Sequence, residues 1–169
     1  MRARILAAGA FLVIGAALAG PFVRGAAAQE AIYVVRHAER VDDEKLSLLS
    51  PEGHARAARL AAMLRDAGIT HVFVSEYGRT AQTAAPLAER LGLTPAVVRA
   101  DDMGALLERL RATGPKARVL VAGHSDTVPA LLKALGCTEA ITIAKAEYDN
   151  LFLVIPGDKS SPLLLRLRY

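Results

Sequence analysis

The sequence predicts an α/β layered fold with a mostly parallel sheet and an antiparallel pair of strands near its C-terminal end. Three observations carry this reading. Short apolar runs alternate with longer stretches of helical pattern, the signature of stacked strand–helix units. The runs at 31–35 and 118–122 are almost wholly apolar, as strands covered on both faces are. The last two strand candidates, 150–155 and 163–169, are joined by a short connection around Pro156-Gly157-Asp158, which suits antiparallel pairing. A length of 169 residues favours one domain with room for a core.

The elements follow in order. Residues 31–35 form the first strand. Ser50-Pro51-Glu52 opens a helix: Ser50 can cap it, Pro51 suits its first turn, and Glu52 favours the positive end of its dipole. Leu60 and Leu64 share a face, the helix runs to about Asp66, and Gly68 ends it. Residues 71–75 form the second strand. A helix follows over 79–91 with Gly92 as its stop, and Pro86 should kink it or mark a late start. Residues 96–99 make a short strand, and Asp101 or Asp102 can cap a helix over 104–111. The strand 118–122 leads to a short helix over 127–135, and the two closing strands complete the chain.

Residues 1–28 read as a signal peptide and 29–169 as the working domain. Arg2 and Arg4 form a positive start, residues 5–19 an apolar stretch, and Ala26-Ala27-Ala28 a small-residue cleavage site. That stretch is short for a bilayer, which needs ~20 apolar residues. The expectation is a periplasmic or secreted protein with no stable membrane insertion after cleavage. The leader also accounts for much of the basic charge. Without Arg2, Arg4 and Arg24, 18 basic residues face 17 acidic ones, which gives little support to nucleic-acid binding. Cys137 is the only cysteine, so no intrachain disulfide forms, and it reads as a small apolar filler. No metal-ligand spacing is present among the four histidines and this cysteine.

Chemistry concentrates at strand ends. In an open α/β sheet, ligands bind beyond the carboxyl ends of the parallel strands. Arg36-His37-Ala38-Glu39-Arg40 follows the first strand, Ser75 to Arg79 the second, and Gly123-His124-Ser125 the strand at 118–122. Guanidiniums match phosphate oxygens in a two-pronged fashion, and an imidazole is a nucleophile near neutral pH. His37 is therefore the candidate nucleophile on phosphorus, with Arg36, Arg40, Arg79 and His124 as phosphate ligands. Arg40 could instead be a loop arginine paired with Asp42 or Asp43. Arg79 heads a helix, where a cation opposes the dipole unless an anion sits there. Gly123 allows unusual backbone angles or a close approach, and the Ser125 amide could donate to phosphate. His54 and His71 read as structural or exposed.

Together these residues resemble the histidine phosphatase, or phosphoglycerate-mutase-like, superfamily, over residues 31–155. The matching pieces are Arg36-His37, Leu49-Ser50-Pro51-Glu52-Gly53, Ser75-Glu76-Tyr77-Gly78-Arg79-Thr80-Ala81-Gln82-Thr83-Ala84 and Gly123-His124. The resemblance implies a three-layer αβα sandwich and a phosphohistidine on His37, formed without metal or other cofactor. It implies phosphoryl binding by Arg36, Arg79 and His124, with Arg40 joining them. Two departures stand out: Ala38 replaces the glycine of many members, and the general acid is hard to place. Asp101 or Asp102 is the nearest candidate, each able merely to cap the next helix, and Glu147 and Asp149 are rivals. The expected function is an exported phosphatase of phosphomonoesters, acting on a phosphorylated small molecule or phosphoprotein. The alternatives are a mutase-like phosphotransferase and a non-catalytic phospho-ligand binding module.

Overall fold

The computed structural model describes residues 29–157 and 161–169. The predicted leader, residues 1–28, lies outside them, as does Asp158 of the predicted turn. Six strands and four helices alternate as β1 (Ala31–Arg36), α1 (Pro51–Leu64), β2 (His71–Val74), α2 (Gly78–Leu91), β3 (Ala96–Val97), α3 (Met103–Ala112), β4 (Arg118–Gly123), α4 (Thr127–Ala134), β5 (Asn150–Ile155) and β6 (Leu163–Arg168). They form one sheet in the order β3-β2-β4-β1-β5-β6. The first four in that order are parallel; β5 runs antiparallel to β1, and β6 antiparallel to β5.

Alternation along the central strands sends side chains to two cores. Ile32, Val34, Val119, Val121, Phe152 and Val154 pack toward Leu110 of α3 and Leu131 and Leu132 of α4. Val35, Leu120, Ala122 and Leu151 pack toward Leu60 and Leu64 of α1 and Leu87 and Ala88 of α2. This is the expected three-layer αβα sandwich. Leu60 and Leu87 are fully buried, each contributing about 2 kcal/mol of apolar burial. Cys137 packs in the α3/α4 core, as the filler reading has it.

The elements obey their end signals. Ser50 Oγ accepts from the Gly53 amide at 3.2 Å, with Pro51 in the first turn of α1. Gly92 closes α2 in the left-handed region at φ 65°. Pro86 lies inside α2, which begins at Gly78, so a late start is excluded. Asp102 rather than Asp101 caps α3, accepting from the Ala105 amide at 2.9 Å. Gly123 has no left-handed angle; it is needed for space instead, because a Cβ there would meet Thr127 Oγ1 at 2.8 Å. Gly53 is needed for the same reason: its Cβ would lie 2.1 Å from the Glu39 carbonyl oxygen, where the chain after His37 crosses α1.

Candidate active site

The sheet order brings the candidate residues together. β4 lies between β1 and β2, so Arg36-His37, Ser75 and Gly123-His124 emerge side by side at one edge. Because β5 is antiparallel to β1, with Leu151 opposite Val35, its beginning lies at that edge too. Arg36, His37, Arg40, Arg79 and His124 line one cavity of about 480 Å³, together with Lys45, Tyr77, Ser125, Thr127 and the carboxylates Asp101 and Asp126.

His37 is 4% exposed. Its amide donates to the Gly123 carbonyl at 2.9 Å, and its ring Nδ1 lies 2.8 Å from the Ala38 carbonyl. A carbonyl only accepts, so Nδ1 carries the proton and the lone pair of the neutral ring sits on Nε2. Burial pushes the imidazole down to about 3; the Ala38 carbonyl opposes this, while His124, Arg36 and Arg79 add to it. At neutral pH the ring is therefore an uncharged nucleophile. Ala38 is fully buried beside Leu49 and Ala57 without a positive φ, so its Cβ is accommodated at the position where the resemblance led to an expectation of glycine.

His124 stands edge-on to His37, with ring centroids 5.3 Å apart. Its Nε2 lies 2.9 Å from Ser75 Oγ, and its Nδ1 lies 3.4 Å from Arg79 Nη2. A guanidinium only donates, so Nδ1 accepts in this state. Burial pushes this ring down to about 4, with Arg79 next in effect.

The arginines are held from behind. Arg36 Nη1 donates to the carbonyls of Ala144, Lys145 and Glu147 at 2.9–3.0 Å, and its guanidinium lies 4.0 Å from the Tyr148 ring centre. Arg79, in the first turn of α2, donates to the Lys45 carbonyl at 2.7 Å and stacks 4.4 Å from the Tyr77 ring centre. Arg40 lines the cavity, and its Nη2 is paired with Asp43 at 2.7 Å, the pairing the loop-arginine reading expects. All three keep a buried Nε–H without a protein acceptor. Burial lowers the pKa of both Arg36 and Arg79, and Arg40 lowers both further. Crowded cations on one wall are relieved by an anion.

The remaining motif residues brace this wall. Thr83 Oγ1 accepts from the Ala38 amide at 2.9 Å, and Gln82 Oε1 accepts from the Leu49 amide at 2.9 Å. Thr127 Oγ1 accepts from the His124 amide at 2.8 Å.

The acid candidates fare differently. Asp101 lines the cavity, but both its oxygens accept from Arg99, at 3.0 and 2.7 Å, and this bond holds its carboxyl below the usual range. That direction opposes service as an acid. Asp102 is occupied as a cap. Glu147 binds the Ala144 amide and reaches Arg166 and Arg168, and Asp149 pairs with Arg168; neither lines the cavity. His54 and His71 are exposed and are not among the lining residues. Sequence reasoning gave no role to Tyr77, Tyr148, Lys45 or Asp126. Tyr148 lies two residues before β5, whose beginning returns to this edge. Among the described residues, no group of three His, Cys, Asp or Glu side chains is placed to hold a metal ion.

Acid should destabilise the fold. Both imidazoles are neutral when folded but take a proton below about 6.5 when unfolded, so the unfolded chain binds more protons between pH 6.5 and the folded values of about 3 and 4. Stability is fully present above pH 6.5 and falls with acidification through that window, by up to about 1.4 kcal/mol per pH unit for each ring. Urea unfolding from pH 7 to 4.5 is expected to show a smaller loss in His37→Gln than in the wild type. An equal loss would mean that His37 titrates normally.

The description "Histidine phosphatase superfamily (branch 1)" fits residues 32–103. Over 88 residues the chain is 34% identical to a protein of Erwinia tasmaniensis named probable phosphoglycerate mutase GpmB, covering 46% of this chain and 41% of that one. A GpmB of Proteus mirabilis is 36% identical over 92 residues, covering 48% and 43%. The chain thus spans less than half the length of these relatives. Among solved structures, a mycobacterial glucosyl-3-phosphoglycerate phosphatase has a TM-score of 0.66 at 16% identity, covering 83% of this chain and 98% of that one. The protein histidine phosphatase SixA, solved with tungstate, has a TM-score of 0.66 at 21% identity, covering 82% and 96%. Residues 32–103 thus match the histidine phosphatase superfamily, and the chain shares the fold of these solved structures.

Proposed function

We propose that this protein is an exported, metal-independent phosphatase that hydrolyses phosphomonoesters through a phosphohistidine on His37. One observation carries the reading: a neutral, buried imidazole, with its lone pair on Nε2, shares a cavity with three guanidiniums. Nε2 attacks phosphorus in line with the leaving oxygen. Arg36, Arg79 and the free part of Arg40 hold the equatorial oxygens, and His124 adds a hydrogen bond once its Nδ1 is protonated beside the dianion. Water then releases phosphate from the ring.

The substrate is a phosphorylated small molecule or a phosphoprotein, with no nucleic-acid partner. The leader reading puts the mature chain in the periplasm or outside the cell, with no stable membrane insertion, and sequencing its N-terminus checks this. Brief reaction with a labelled aryl phosphate is expected to leave base-stable, acid-labile phosphate on His37, and EDTA is expected to leave the rate unchanged. A protein that binds phosphate but never carries the label is a binding module. Activity lost to EDTA and restored by a divalent ion would refute the metal-free step. The names of the GpmB relatives favour a mutase as second reading. Supplying 3-phosphoglycerate separates the two, since a mutase yields 2-phosphoglycerate and a phosphatase yields inorganic phosphate.

A further inference from the structure

The proposed chemistry lacks a proton donor for the leaving oxygen, and the cavity narrows the choice. Among the described residues, two carboxylates line it, Asp101 and Asp126. Arg99 occupies both oxygens of Asp101. Asp126 is different. It lies two residues beyond His124, in the connection between β4 and α4, and is exposed. Its Oδ1 accepts from the Thr127 amide at 2.9 Å. Among the described ion pairs none involves Asp126, and Oδ1 alone has a hydrogen-bond partner among the described residues. It lines the same cavity as His124 and Arg36, and its charge opposes the lowering of both their pKa values.

On the phosphatase reading above, we infer that Asp126 is the catalytic acid that protonates the leaving oxygen, and then the base that takes a proton from water. The proton arrives with the substrate: a phosphomonoester monoanion passes it to Oδ2 as the dianion settles on the arginines. In the first step the His37 Nε2–phosphorus bond forms while the phosphorus–leaving-oxygen bond breaks. The electron pair of that bond goes to the leaving oxygen, which takes the proton from Oδ2. In the second step water attacks phosphorus, the nitrogen–phosphorus pair returns to Nε2, and the water proton goes to Oδ2. The carboxyl is restored and inorganic phosphate departs.

The test is Asp126→Asn, which keeps an oxygen to cap the Thr127 amide but carries no transferable proton. kcat/KM, which reports phosphoryl transfer to His37, is measured with p-nitrophenyl phosphate and with an alkyl phosphate. Nitrophenolate leaves unaided, whereas an alkoxide needs a proton. Loss of about 10²-fold or more on the alkyl ester and less than about 10-fold on the nitrophenyl ester is expected. An equal loss on both esters, or no loss on either, overturns the assignment. A wild-type protein that forms no phosphohistidine with either ester overturns the phosphatase reading itself, and this assignment with it.

Discussion

Replacing His37 by alanine is expected to lower turnover of an aryl phosphate by on the order of 10⁴-fold or more, the scale seen when an activated nucleophile is removed. The other imidazole lining the cavity is not free to take its place: His124 is tied at both nitrogens, to Ser75 and Arg79. The arginines do not depend on His37 for their positions, since Arg36 is held by the 144–147 carbonyls and Arg79 by Lys45. The variant should therefore still bind inorganic phosphate with an affinity within about tenfold of wild type, because one lost contact is worth on the order of 1 kcal/mol. Kinetics paired with calorimetric phosphate titration separates a missing nucleophile from a collapsed site. Wild-type turnover in His37→Ala would remove the nucleophile from the mechanism.

Arg79→Ala carries the second-largest expected effect, a fall in kcat/KM of about 10² to 10³-fold, the range for losing one preorganised charged donor. Arg79 does more than place a charge. Its guanidinium lies against His124 Nδ1, holds the loop before Leu49 through the Lys45 carbonyl, and stacks on Tyr77. Arg79→Lys retains the cation without the planar fork and is expected to recover only part of the loss. Arg40→Ala should cost less, because Arg40 is already paired with Asp43. A drop of less than about tenfold in Arg79→Ala, with Arg40→Ala the more damaging, would reverse this ranking.

The sheet and the cationic site were largely legible in the amino-acid order. Strand ends are marked by abrupt changes from apolar to charged or small residues, as at Val35-Arg36 and Ala122-Gly123, and one parallel sheet delivers such ends to a common edge. Element limits shifted by a residue or two: β1 includes Arg36, and α2 begins at Gly78. Spacing alone could not show which side of Gly123 forbids a Cβ, because the crowding comes from Thr127 and Val128 across a turn. Nor could it show the fate of the carboxylates. Asp101 and Asp126 are alike on paper, and what separates them is that Arg99 folds back onto the first while, among the described ion pairs, none involves the second. The backing of Arg36 was equally hidden, since backbone carbonyls carry no sequence signal.

The three carbonyls behind Arg36 come from residues 108–111 positions further along the chain. A polypeptide still on the ribosome and lacking that stretch possesses its guanidinium but not the brace that aims it. Closing so long a loop is an entropic cost met late, after local helices have formed. Phosphate capture is thus among the last competences the chain acquires, and a truncation between Asp126 and Ala144 should yield an inert product even though His37 and His124 have already been synthesised.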